Sequence, residues 1–159
     1  MTQDSKKEKN KTKISVSQTE MEKAFRTHKS VWEKDQKNPN HSHKMVLFYA
    51  VECGLKAYYM KKKGLEFSSD ANDSVHRYSH NLNELLKKLD LSPRIPNIGK
   101  NLESPLSAVH LHTAWRYGKI LDNEEESLCI QKLTNILVEI NVKLAIPDKI
   151  YGRNINIGV

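Results

Sequence analysis

Between Met45 and Met60 hydrophobic side chains fall on every side of a helical projection, with Leu47, Phe48, Val51, Leu55, Tyr58 and Met60 among them. A helix with no broad polar face is stable only when surrounded, so this segment predicts a buried central helix from about His43 to Lys62, closing near Gly64. At 1.5 Å per residue such a helix spans roughly 30 Å, about the diameter of a small domain. The stretch also holds Glu52 and Lys56 and is too short to cross a bilayer. Whatever else the chain forms must wrap around it.

The remaining segments supply the wrapping. Ser17-Gln18-Thr19-Glu20 has the form of a capping box, in which hydroxyl and carboxylate satisfy each other's orphan backbone donors. Met21, Phe25, His28 and Trp32 then recur at helical spacing up to the breaker Asn38-Pro39-Asn40. After a polar loop at 65–73, the run Val75, Tyr78, Leu82, Leu85, Leu86 and Leu89 predicts one continuous third helix, stopped by Pro93 and Pro96. Ser104-Pro105 suits the start of a fourth helix, through Leu111 and Trp115 to Gly118. A fifth opens at Asp122, with Glu124, Glu125 and Glu126 at its positive dipole end, and Pro147 ends it. The fold class expected is all-α, an up-and-down bundle of four to five helices over residues 15–147. A basic disordered arm at 1–14 precedes it and an extended tail at 148–159 follows.

At 159 residues the chain suits a single domain that needs no metal or disulfide staple. Cys53 and Cys129 both fall in apolar helical patterns and read as core residues of a reduced cytoplasmic protein. No apolar run follows Met1, so no secretory signal is read. The formal charge is +7, of which residues 1–13 contribute +3. Such a balance is compatible with nucleic acid or another acidic partner, although a lysine-rich arm equally serves solubility.

Glu52 and Lys56 are the oddest placements. They stand one turn apart in the most apolar helix, in the favourable Glu-before-Lys order. They form either a polar patch lining a ligand groove or an internal ion pair that fixes packing. Among seven histidines, His76 and His80 share a helical face, but spacing fixes no third ligand, so no metal and no cofactor is read. Antiparallel neighbours would bring the start of the third helix beside the end of the fourth. His80 and Arg116 would then face one groove, with Arg77 and Tyr117 beside them. Arginine braces phosphate charge, histidine moves protons near neutral pH, and tyrosine offers a stacking face. The plainer alternative is that Arg116 serves its own helix terminus and Trp115 is core.

Leu47-Phe48-Tyr49-Ala50-Val51-Glu52-Cys53-Gly54-Leu55-Lys56-Ala57, His80-Asn81-Leu82 and Trp115-Arg116-Tyr117 together resemble the HEPN domains (higher eukaryotes and prokaryotes nucleotide-binding) over roughly residues 43–140. The resemblance implies a helical bundle, often a homodimer, in prokaryotic phage defence or toxin–antitoxin systems, working with a protein partner from the same operon. Active members resemble metal-independent RNases that carry an Arg, four to six residues, then a His. Arg26, Arg77, Arg94, Arg116 and Arg153 have no His at that distance. The expectation is therefore a binding or accessory module for RNA, nucleotide or a protein partner, with Glu52, Lys56, Arg77, His80, Arg116 and Tyr117 at the ligand site and no membrane association. The alternatives are a metal-independent endoribonuclease using His80, Arg77 and Arg116, and a structural subunit of a complex.

Overall fold

The computed structural model describes residues 14–70, 73–92, 94–99 and 103–146; most of the predicted arm and the whole predicted tail lie outside the described residues. Three long helices dominate: α1 (Gln18–Asp35), α2 (His41–Lys63) and α5 (Asn123–Ala145). Between α2 and α5 run two short helices, α3 (Leu82–Lys88) and α4 (Leu111–Arg116), each preceded by a single 3-10 turn, Val75–Tyr78 and Ala108–His110. The described residues form helices and two isolated β-bridges, so the architecture is all-α.

Each long helix begins where a side chain can satisfy its orphan amides. At α1, Ser17 Oγ accepts from Glu20 N–H at 3.2 Å while Glu20 Oε2 accepts from Ser17 N–H at 2.8 Å, completing the capping box. The helix α2 starts two residues earlier than expected, at His41, because Asn40 Oδ1 caps His43 N–H at 3.0 Å and the His43 ring answers at 3.3 Å. It closes on Gly64, whose φ of 67° is the left-handed cap. Asp122 caps α5 through Glu125 N–H at 2.9 Å.

Two expectations are corrected. The third helix is not continuous from Val75. Ser74 caps a 3-10 turn, Ser79 turns the chain at φ 46°, and Asn81 caps α3 afresh through Glu84 N–H at 3.1 Å. Small polar residues offer the backbone local partners, and here those partners restart the helix instead of extending it. Nor do Ser104 and Pro105 open the fourth helix. That stretch leads into an antiparallel bridge between Ile98 and Leu106, and Ser107 caps the turn ahead of α4. The polar loop at 65–73 is likewise tied down. Ser68 is fully buried; its Oγ accepts from Val16 N–H at 2.9 Å, and its N–H donates to the Val16 carbonyl at 2.7 Å.

The helix α2 is the buried centre, with Leu47, Phe48, Val51, Leu55 and Met60 at zero exposure. The short connection folds α1 back antiparallel onto it, so Gln18 N–H reaches the Glu66 carbonyl beyond the far end of α2. By contrast α5 runs parallel to α2. Lys44, near the start of α2, pairs with Glu126 near the start of α5, while Lys61 near the end of α2 donates to the Leu144 and Ile146 carbonyls. The crossover through α3 and α4 makes the return journey. Among the described residues, no helix is long and apolar enough to cross a membrane.

Gly54 takes side chains from both α1 and α5 against the backbone of α2. A Cβ there would lie 2.7 Å from Phe25 Cδ2 and 2.8 Å from Ile140 Cγ2. Gly54→Ala gains about 1 kcal/mol of helix propensity, against overpacking of about 1–3 kcal/mol. Chemical denaturation should show a net loss for Ala and a much larger one for Gly54→Val. An alanine variant more stable than the parent would mean that Phe25 and Ile140 can step aside.

Candidate functional site

Tyr49, Glu52 and Lys56 succeed one another at i, i+3 and i+7 and so lie along one side of α2. Glu52 and Lys56 are both 8% exposed, and Lys56 Nζ donates to Glu52 Oε1 at 2.5 Å. The second carboxylate oxygen, Oε2, lies 2.9 Å from His80 Nδ1. The acid is thus gripped from two elements, which removes the objection to burying it in the most apolar helix.

His80 stands in the turn between the first 3-10 segment and α3. Ser79, just before it, has the positive φ that a residue with a Cβ adopts only at a cost of about 1–3 kcal/mol. That turn swings the imidazole back over α2, where its side chain keeps 43% exposure. Its ring centroid is 4.3 Å from that of His112, which in turn is 4.8 Å from Phe48.

His112 was not among the residues expected here. It is 6% exposed, and its Nδ1 is buried with no hydrogen-bond partner among the described residues. Burial, and then the neighbouring His80, hold its pKa below the usual 6.5, with Glu52 acting in the opposite sense. The neutral ring is therefore the form the fold favours. This contribution to stability is present above the unfolded-state pKa and is lost as pH falls through the lowered folded value. His112 and Arg116 are four apart and so share one face of α4, although that spacing alone does not mark His112 as more than core.

Arg116 reaches across from α4 to α2, donating from NH2 to Tyr49 Oη at 2.8 Å. Tyr49 lies 6.0 Å, ring to ring, from His112 and 6.5 Å from His28. Tyr117 follows Arg116 with 77% exposure. His80 and Arg116 therefore come together around His112, above Glu52 and Lys56.

Arg77 does not join them. Its guanidinium donates to Tyr59 Oη at 2.9 Å, Tyr78 Oη at 3.0 Å and Asp73 Oδ1 at 2.5 Å. Tyr59 also donates to Asp73, and burial followed by the contact with Tyr78 pushes its hydroxyl pKa up. Arg77 is the clasp that ties the first 3-10 turn to α2. The sequence placed it near His80 because the two are close along the chain, but the reversal at Ser79 separates their directions.

Cys53 stands beside Glu52. Burial, then the Glu52 charge, pushes its thiol up to about 11, so the reactive thiolate is scarce at neutral pH. No group of three or more His, Cys, Asp and Glu among the described residues is placed to hold a metal ion. What remains is a carboxylate-oriented imidazole, a buried neutral imidazole and a guanidinium fork at one edge, a set suited to bracing phosphate oxygens and moving a proton near neutral pH. Comparison with protein-family models, curated proteins and solved structures gives no significant match to this chain.

Proposed function

We propose that this chain is a HEPN-like binding or accessory module that takes a phosphate-bearing ligand, RNA or a nucleotide, at the edge formed by His80, His112 and Arg116. The observation that supports this reading is the meeting of His80 and Arg116 around the buried His112, although they come from separate short elements. A structural ion pair at Glu52 and Lys56 alone would not require an arginine and a partly exposed imidazole on the same edge. The setting that the resemblance implies, a prokaryotic defence or toxin–antitoxin system with a partner from the same operon, belongs to this proposal, as does a homodimer.

The contact between Glu52 and His80 favours one second reading, a metal-independent endoribonuclease. A carboxylate that fixes the ring leaves the other nitrogen free to exchange a proton. The absence of an arginine four to six residues ahead of a histidine argues against cleavage and for binding.

His80→Ala and Arg116→Ala should each weaken binding of a labelled RNA or of adenosine monophosphate about ten- to a hundredfold, as expected for losing a charged contact worth about 1.5–3 kcal/mol. The melting temperature of Arg116→Ala should stay close to the parent's, whereas His80→Ala, which takes one of two partners from the buried Glu52 carboxylate, should lower it modestly. Arg77→Ala should lower the melting temperature and spare affinity. Equal affinity in all three variants would remove the site. RNA cleavage in the presence of EDTA, abolished in His80→Ala, would select the nuclease reading.

A further inference from the structure

A cleft of about 620 Å³ runs along the outer side of α3, between Asn81 at its near end and Lys87, Lys88 and Arg94 at its far end. Asn81 follows His80 directly, so the cleft begins where the candidate site stops. One wall is built by an amide clamp. Asn83 Nδ2 donates to the Ile95 carbonyl at 2.9 Å, and Asn83 Oδ1 accepts from Ile95 N–H at 2.8 Å. A side-chain amide thereby imitates a strand and fixes Arg94, the residue before Ile95, alongside the last turn of α3.

Lys87, Lys88 and Arg94 are all exposed, and no carboxylate among the described residues lies within ion-pair distance of them. Glu84 lines the cleft with its backbone and side chain engaged by Asn81, and Asp90 lines the adjoining hollow beside Lys87 and Arg94 without pairing with either. Two lysines in a last turn also suit the negative end of a helix dipole. Arg94 is not on that helix, so the dipole does not account for it.

Lys87 and Lys88 are seven and eight residues beyond His80. At 1.5 Å per helical residue this separates them from the His80 edge by roughly 10 Å. A single phosphate cannot touch both ends, whereas a nucleic-acid strand carries a phosphate at every nucleotide and so presents charge along the whole gap. Resting on the proposed binding of a phosphate-bearing ligand, we infer that the ligand is a single-stranded RNA whose backbone runs from His80 and Arg116 along α3 to a second anion subsite at Lys87, Lys88 and Arg94.

The test measures binding of fluorescein-labelled oligouridine by anisotropy across a salt range, with adenosine monophosphate as a separate ligand. The full chain is compared with a variant carrying Lys87→Glu, Lys88→Glu and Arg94→Glu. Affinity for oligouridine should fall at least about tenfold, and the slope of log affinity against log salt should shrink by about two, at about 0.7 per lost phosphate contact. Affinity for adenosine monophosphate should be unchanged. If charge reversal unfolds the chain, the corresponding triple glutamine variant decides on the same criteria. An unchanged slope and affinity would overturn the second subsite while leaving the His80 edge standing. A parent that binds the mononucleotide as tightly as the oligonucleotide would do the same. A parent that binds neither would overturn the subsite and the edge together.

Discussion

Glu52→Ala should lower the stability of the fold by about 3–5 kcal/mol, because it strands the Lys56 ammonium at 8% exposure without its counter-charge. The same change removes the group that faces His80 Nδ1, so an edge that needs an oriented imidazole should lose ligand as well. Lys56→Ala should cost less, since Glu52 then still faces His80. Replacing both at once, Glu52→Leu with Lys56→Met, should recover most of the stability, as apolar pairs of similar volume do in place of buried ion pairs. Urea denaturation of the four proteins decides the matter. A loss below about 1 kcal/mol for Glu52→Ala, the range of ordinary surface substitutions, would mean that water reaches the pair.

Glu126→Ala should be comparably damaging. Glu126 Oε1 accepts from Trp115 Nε1 at 2.7 Å and lies 3.0 Å from Lys44 Nζ, so one carboxylate joins α4, α5 and α2 in a region where all three side chains are largely buried. Its removal leaves an indole N–H and an ammonium unpartnered, for about 3–5 kcal/mol. Glu126→Gln keeps an acceptor for the indole and should lose less. Because α4 also carries His112 and Arg116, tryptophan fluorescence and ligand affinity should change together in the alanine variant. Normal ligand affinity in a destabilised Glu126→Ala protein would show that α4 holds its place without this contact.

The long helices were legible because local and global demands agree there. Ser17 with Glu20 and Asp122 with Glu125 are caps visible in four residues, and the all-round hydrophobicity of α2 has no alternative reading as an exposed helix. The crossover was not legible. Val75, Tyr78 and Leu82 have helical spacing, yet both Val75 and Tyr78 are buried from a 3-10 turn, which meets the same apolar demand with a different exit direction. Glu52 and Lys56 could be picked out because they are charges in an apolar helix, and His80 and Arg116 because they stand near the start of the third and the end of the fourth predicted helix. His112 could not, since a single histidine among Leu111, Ala114 and Trp115 reads as core, and only its approach to His80 across the crossover gives it a further meaning.

The parallel course of α2 and α5, tied near one end by Lys44 with Glu126 and near the other by Lys61 with the closing carbonyls of α5, divides the molecule mechanically. The helices α1, α2 and α5 form one block of long helices. The crossover is made of one-turn and two-turn pieces joined by loops. Tyr49, Glu52 and Lys56 belong to the block, whereas His80, His112 and Arg116 belong to the crossover. A ligand that touches both halves would therefore act as a latch across this seam, adding to the buried contacts of Leu82, Leu85, Leu111 and Trp115 that already hold the crossover to the core.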